Sequence, residues 1–167
     1  MFLDGGHENF DLLGSYPVTE YCGGKAQVIS GNLVHLMRGQ VYTIDDKKIF
    51  AFGGGDSHDR DLREDLPAFS VNLPKVAELK QGVENLKKAG GEVDYIVTHE
   101  APGSIKGFIN MDDHDMTELH RYFDEVAANC KFKKWYFGYF HQDKNITPHH
   151  CAVFKQIVKT EPDAPHK

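Results

Sequence analysis

The first third of the chain contains short apolar runs that are separated by glycine and aspartate residues. Residues 33–37, 40–44 and 48–52 each combine β-branched or aromatic residues with short polar breaks, which is typical of β-strands. Residues 45–47, Asp-Asp-Lys, lie between the second and third runs and have the composition of a hairpin turn. The pattern therefore predicts an antiparallel segment that ends at the glycine run 53–55.

Two later stretches have the 3.6-residue period of amphipathic helices. The first follows Pro74 and stops at Gly90-Gly91, with its apolar face formed by Val76, Leu79, Val83 and Leu86. The second is predicted to begin at a capping box of Asp115 and Glu118, with one face formed by Met116, Leu119, Phe123 and Val126. The first helix is expected to pack on a sheet.

The remaining apolar runs complete a mixed fold. Residues 93–97 and 135–137 predict buried strands, and residues 152–154 with 157–158 predict a terminal strand. Residues 1–4 resemble the end of a strand whose sheet neighbours are not evident. We expect one α/β (α+β) domain over residues 1–160, followed by a polar tail at 161–167.

The composition argues against a nucleic-acid-binding protein and against a membrane-spanning one. The 167 residues carry a formal net charge of −6 with 40% hydrophobic residues, and no basic patch favours a nucleic-acid partner. No apolar stretch is long enough to span a bilayer and no signal-peptide pattern is present, so the expected location is cytoplasmic. The three cysteines are widely spaced and are expected to be reduced, namely Cys22, Cys130 and Cys151.

Three apolar runs end at histidines. They are followed by Gly5-Gly6-His7-Glu8, by Thr98-His99-Glu100-Ala101-Pro102 and by Gly138-Tyr139-Phe140-His141. A single histidine at a strand end is more often a hydrogen-bonded surface residue than a metal ligand. Three of them in one small chain favour a metal or acid/base site, because α/β proteins bind ligands where strands end. By contrast, His149-His150-Cys151 is not expected to bind metal, since adjacent residues on a strand face opposite sides.

In this order, the three motifs resemble the last three motifs of the calcineurin-like metallophosphoesterases, GNH(D/E), THxxP and GHxH. The resemblance implies a two-sheet β-sandwich flanked by helices, which binds divalent metal ions and hydrolyses phosphoester substrates. It implies His7 as the acid that protonates the leaving group, and His99 and His141 as metal ligands. Imidazole ligands suit manganese, iron, zinc or nickel. Residues that could orient these rings are Thr98, Glu100 and Asp143.

The sequence also departs from the family pattern. Gly6 replaces the asparagine of GNH(D/E), and Tyr139 replaces the first histidine of GHxH, so two ligands of the second metal are lost. The family's DxH and GDxxD motifs do not precede Gly5, so we expect the N-terminal strands to be missing and one ion or none to bind. Residues 55–59, Gly-Asp-Ser-His-Asp, match GDxxD out of order, which makes Asp56, His58 and Asp59 additional metal candidates.

Two functions remain open. The first is a metal-dependent phosphoester hydrolase domain, truncated or degenerate and weakly active. The alternative is a non-catalytic binding protein that keeps the phosphoesterase fold. If strands are missing, the exposed edge at residues 2–4 predicts a homo-oligomer or a partner chain that covers it.

Overall fold

The computed structural model describes residues 1–55, 73–109 and 116–160. Within these ranges the chain forms a mixed α/β structure with four helices and two sheets, one of three strands and one of six. The predicted loop after Gly55, the predicted capping residue Asp115 and the tail 161–167 all lie outside the described ranges.

The small sheet is antiparallel and is built from β1 (Val18–Tyr21), β2 (Gly24–Ser30) and β3 (Leu33–Leu36) in sequence order. A short helix, α1 (Phe10–Ser15), adjoins this sheet, since the Gln27 side chain donates to two backbone carbonyls at its C-terminal end. The sequence pattern predicts β3 but does not predict β1, β2 or α1. Their residues are largely exposed and therefore lack an apolar period.

The large sheet has the spatial order β4-β5-β6-β7-β9-β8. Its four central strands, β5, β6, β7 and β9, are parallel, and both edge strands pair antiparallel. The strands are β4 (Gln40–Ile44), β5 (Lys47–Phe52), β6 (Tyr95–Thr98), β7 (Lys134–Phe137), β8 (Lys144–Thr147) and β9 (His150–Ala152). The predicted β4–β5 hairpin is confirmed, and its turn residues Asp45 and Asp46 have φ of 48° and 60°.

Three helices supply the main apolar core on one face of the large sheet. They are α2 (Val76–Lys88), α3 (Gly103–Ile109) and α4 (Glu118–Asn129). Alternate strand residues such as Phe50, Ile96 and Trp135 are fully buried in this core with Leu86 and Phe123 of the helices. Side chains alternate across a strand, so the intervening residues face the opposite side of the sheet.

That opposite side meets the small sheet along β4 and β5. Ala26 and Leu36 of the small sheet share a buried cluster with Tyr42 and Ala51 of the large sheet. Farther along, Tyr95 and Tyr136 form a separate small cluster with Cys151. The described part of the chain therefore has apolar layers on both faces of the large sheet.

Several element predictions need correction. The second helix starts after Thr117, whose side chain accepts from the His120 N–H, so Met116 precedes the helix. The terminal strand is β9, which ends at Ala152, and residues 157–158 are outside any strand, with Ile157 fully exposed. Residue 2 does have a sheet neighbour, since Phe2 forms a parallel bridge with His35 of β3.

Candidate functional site

Three turns that carry the sequence motifs converge at one edge of the large sheet. His99 follows β6, Tyr139 and His141 follow β7, and Gly55 lies beyond the end of the neighbouring β5. These strands are parallel neighbours, so their carboxyl ends share an edge. The Gly5–Glu8 turn reaches the same place after Phe2 bridges to β3.

His99 is at the centre of this edge and contacts all of the surrounding turns. A Cβ placed on Gly5 would lie 3.4 Å from His99 Cε1, and one on Gly55 would lie 3.0 Å from His99 Cδ2. Gly138 donates its N–H to the His99 carbonyl at 3.1 Å, and the Tyr139 ring meets the imidazole edge-on at 5.7 Å. The three motifs are therefore brought together around one imidazole.

The electrostatics of this position favour a neutral ring. Burial lowers the pKa of His99, while the negative charges of Glu100, Asp4 and Glu8 oppose that shift without cancelling it. No hydrogen bond among the described residues engages either ring nitrogen of His99. A neutral imidazole with uncommitted nitrogens is the form that binds transition metals.

His7 and Glu8 lie beside His99. The charge of His7 is among those that lower the pKa of His99, which places the two rings in one electrostatic neighbourhood. His7 is exposed, as an acid that must reach a substrate has to be. The Glu8 carboxylate accepts from the Gly5 N–H at 3.3 Å and so stabilises the turn from which His7 projects.

The third motif contributes Tyr139 rather than His141 to the contacts around His99. Tyr139 and His141 have φ of 58° and 51°, the left-handed region that non-glycine residues rarely occupy. The His141 ring is exposed and stacks on Phe154, with the two ring centres 4.9 Å apart. Among the described residues no hydrogen bond or ring contact joins His141 to His99.

Two of the residues considered for orienting the rings are bonded elsewhere. Thr98 donates to the Glu100 carbonyl at 2.5 Å and accepts from the Trp135 indole N–H at 2.8 Å. The Asp143 carboxylate accepts N–H groups of the segment 154–156, and so closes the turn after β9. The described hydrogen bonds of Thr98 and Asp143 thus go to groups other than the motif histidines.

Glu100 has a buried partner that the sequence pattern does not predict. His120 Nε2 lies 3.1 Å from Glu100 Oε2, with both side chains almost completely buried. His120 Nδ1 accepts from the Thr117 N–H, which leaves Nε2 to donate to the carboxylate. The pair joins the loop after His99 to the start of α4. No sequence pattern links these residues, because the contact spans 20 positions.

The glycine run 53–55 has a packing function that its composition alone does not reveal. A Cβ on Gly53 would lie 2.1 Å from the Asp4 carboxylate, and one on Gly55 would lie 2.7 Å from that of Glu100. Any side chain at either position would displace a buried acidic residue. Glycine at both positions is thus required by this close approach, which a residue with a Cβ would prevent.

Within residues 1–55, 73–109 and 116–160 no group of three or more His, Cys, Asp or Glu side chains is arranged to hold an ion. His99, with Glu8 nearby, is the arrangement there that most resembles one. Asp56, His58 and Asp59 follow Gly55 directly in sequence but lie outside the described ranges.

Comparisons with known proteins identify no relative. No family model, curated protein or solved structure matches the chain. No helix within the described ranges has the length and apolar character needed to cross a membrane. The proposed function therefore rests on the site geometry and on the motif resemblance.

Proposed function

We propose that this chain is a metal-dependent phosphoester hydrolase domain of the calcineurin-like type, with weak turnover and room for one divalent ion. The observation that supports this most is the convergence of the Gly5, His99 and Gly138 turns around one neutral imidazole. Two of these turns follow β6 and β7, which are parallel neighbours, so their carboxyl ends share one edge of the sheet.

His99 would hold the ion, since its ring nitrogens are uncommitted among the described residues. A bound divalent ion polarises a phosphoryl oxygen and lowers the pKa of a water molecule. His7 would bind the substrate from the exposed side and supply a proton to the leaving oxygen. The Glu8 carboxylate, through the Gly5 N–H, would keep the His7 turn in place.

Weak turnover follows from the two replaced residues. Gly6 has no side chain that could coordinate an ion, and the phenol of Tyr139 packs edge-on against His99. A neutral phenol is a poor ligand for these ions unless the metal deprotonates it. Charge that develops in the transition state would therefore be stabilised less than in a two-metal site.

The competing proposal is a non-catalytic protein that binds phosphoesters on the same fold. It is favoured by the same two replacements, because a site can recognise phosphate without assembling a nucleophile. Both proposals include a ligand at the His99 edge, and they differ in whether His7 acts as an acid.

Turnover separates the two proposals. The unmodified chain should hydrolyse bis-p-nitrophenyl phosphate slowly in Mn²⁺, and His7→Ala should lower that rate by about 100-fold, as loss of a general acid does. His149→Ala, which changes an exposed histidine on the other end of the sheet, should leave the rate unchanged.

Each outcome has a clear meaning. A rate that depends on Mn²⁺ but not on His7 would show that the acid is misassigned. Binding of Mn²⁺ and inorganic phosphate without any turnover would favour the non-catalytic protein. Absence of both binding and turnover would refute both proposals.

A further inference from the structure

An exposed pair of stacked rings lies at the same edge of the large sheet as the candidate site. The rings of His141 and Phe154 have their centres 4.9 Å apart and their planes inclined by 26°. His141 is exposed, and Phe154 is 50% exposed. The proposed function uses neither ring. We call this pair the aromatic platform.

Parallel pairing of β7 with β9 places the platform beside the candidate site. The Val153 N–H donates to the Phe137 carbonyl at 2.9 Å, so Phe154 leaves the sheet next to Gly138. His141 leaves the sheet from the same end, three residues after Gly138. The two rings therefore come from the carboxyl ends of neighbouring parallel strands, where α/β proteins bind ligands.

One tight turn connects the platform to His99. The Phe140 N–H donates to the Gly138 carbonyl at 2.7 Å, and the intervening Tyr139 has φ of 58°. The Tyr139 ring meets the His99 imidazole edge-on at 5.7 Å. His141 follows Tyr139 by two residues, so their Cα atoms are at most about 7 Å apart. This spacing suits a small ligand with a phosphoryl group at His99 and a ring on the platform.

The Asp143 carboxylate fixes the turn that carries Phe154. It accepts the backbone N–H groups of Phe154, Lys155 and Gln156, and the shortest of these contacts is 2.7 Å, to Phe154. The Lys155 ammonium lies 5.2 Å from the centre of the Phe154 ring. The Phe154 side chain therefore projects from a backbone that is held by several hydrogen bonds.

The outer face of the His141 ring is suited to stacking. Among the described residues, Phe154 is the ring that covers one face of His141, and the exposure of His141 leaves its other face to solvent. Neighbouring exposed rings at a binding edge favour a ligand contact, because stacking removes apolar surface from water. His141 also has φ of 51°, in the left-handed region that few non-glycine residues adopt.

The charge of the chain makes such a contact important for affinity. The formal net charge is −6, so the protein as a whole does not attract an anionic phosphoester. Stacking on aromatic side chains contributes to binding without depending on that charge. A ring on the ligand would therefore add affinity that the phosphoryl group alone does not gain.

We propose that the aromatic platform binds a planar ring in the alcohol part of a phosphoester, so that the substrates are nucleoside or aryl phosphoesters. The incoming ring stacks on the outer face of His141 and extends the stack with Phe154, while the phosphoryl group lies toward His99. His141 thus contacts the substrate, in place of the metal ligation that the motif resemblance implies. The substrate class rests on the proposed function, but the platform itself is built from residues outside that site.

Ligands without phosphate test the platform independently of any metal ion. Adenosine and phenol, added separately, should shift the ring ¹H signals of His141 and Phe154, which are assigned by their loss in His141→Asn and Phe154→Leu. Asparagine tolerates the left-handed backbone, so His141→Asn should keep the turn while weakening adenosine binding about tenfold, as read from the Phe154 signals. His149→Asn removes an exposed imidazole at the other end of the sheet and should leave adenosine binding unchanged. If neither compound shifts either ring, the proposal is overturned, whether or not phosphate binds.

Phosphoesters with and without a ring test the substrate class. In Mn²⁺, adenosine 5′-monophosphate and phenyl phosphate should each bind about tenfold more tightly than glycerol phosphate, and Phe154→Leu should remove most of this preference. A preference for adenosine 5′-monophosphate alone would identify nucleoside phosphoesters, and a preference for both would identify aromatic phosphoesters in general. Equal affinity for all three would overturn the substrate class. Adenosine binding without binding of any phosphoester would refute the proposed function and the substrate class, while the platform would be confirmed.

Discussion

The Tyr122 hydroxyl is a buried polar group without a hydrogen-bond partner among the described residues. It lies against α2, where a Cβ on Gly82 would be 2.2 Å from the hydroxyl oxygen. A buried hydroxyl that loses water without gaining a partner destabilises the folded state. Gly82 is thus glycine because Tyr122 fills the space that a side chain would need.

This packing predicts a coupled pair of substitutions. Tyr122→Phe should be neutral or stabilise by about 1 kcal/mol, while Gly82→Ala should destabilise by about 1–3 kcal/mol through overpacking. The double variant should recover part of that loss, with Phe50 Cζ at 3.3 Å from the added Cβ limiting the recovery. Urea unfolding of all four forms measures the coupling.

Gly107→Ala is the matched control, since nothing lies within 4 Å of its added Cβ in α3. It should stabilise by about 0.5–1 kcal/mol through helix propensity alone. Additive effects of Tyr122→Phe and Gly82→Ala would contradict the assigned contact.

His150 gives the protein an acid-sensitive position. Burial, with smaller effects of His149 and Lys134, lowers the pKa of His150 to about 4 from 6.5. Its Nε2 is buried without a hydrogen-bond partner among the described residues, and its ring stacks on Trp135. Between pH 6.5 and about pH 4, His150 is protonated in the unfolded chain but neutral in the folded chain. The free energy of unfolding therefore falls as the pH drops through that window.

His150→Phe removes this titrating group and should weaken the dependence of the unfolding free energy on pH. The difference in unfolding free energy between pH 6.5 and pH 4 should shrink by about 1–2 kcal/mol, after solvent screening of a partly exposed ring is allowed for. His149→Phe removes only a smaller contribution to the lowered pKa of His150 and should change the slope much less. Equal slopes for the unmodified chain and His150→Phe would show that His150 does not carry this dependence.

At the scale of the elements, the sequence predicts the helices and strands that have a clear hydrophobic period or a continuous apolar run. The β4–β5 hairpin, α2, β6 and β7 are found close to the predicted positions, because each has a continuous apolar run or a 3.6-residue period. The start of α4 is misplaced, since His120 takes the place of the expected acidic partner in the Thr117 cap. Residues 10–30 are missed because their strands and helix are exposed on most positions.

The candidate site is only partly predictable for a different reason. The motif histidines His7 and His99 are visible in the sequence, and the structure places them in one neighbourhood. Contacts such as Glu100–His120 and Asp4–Arg38 span 20 and 34 residues and leave no local pattern. The glycine run 53–55 indicates that another group approaches the backbone closely, but it does not identify Asp4 and Glu100 as the residues that do so.

At the scale of the molecule, the net charge bears on which substrates can bind, and the sheet edges bear on whether another chain binds. The formal net charge of −6 repels small anionic substrates. Such a substrate would therefore bind where a metal ion offsets this charge locally. Phe2 is bridged to β3, so the edge expected to be uncovered at residues 2–4 is partly covered within the chain. A homo-oligomer or partner chain remains a proposal.

The central claim is that His99 is the metal-binding residue of a site built by three converging turns. Paramagnetic broadening tests it most directly, because Mn²⁺ broadens the signals of nearby rings before those of distant ones. Added substoichiometrically, Mn²⁺ should broaden the ring signals of His99 and His7 while His149 and His150 stay sharp, and His99→Ala should abolish the effect on His7. Equal broadening of all histidines, or broadening of His7 that persists in His99→Ala, would contradict the account.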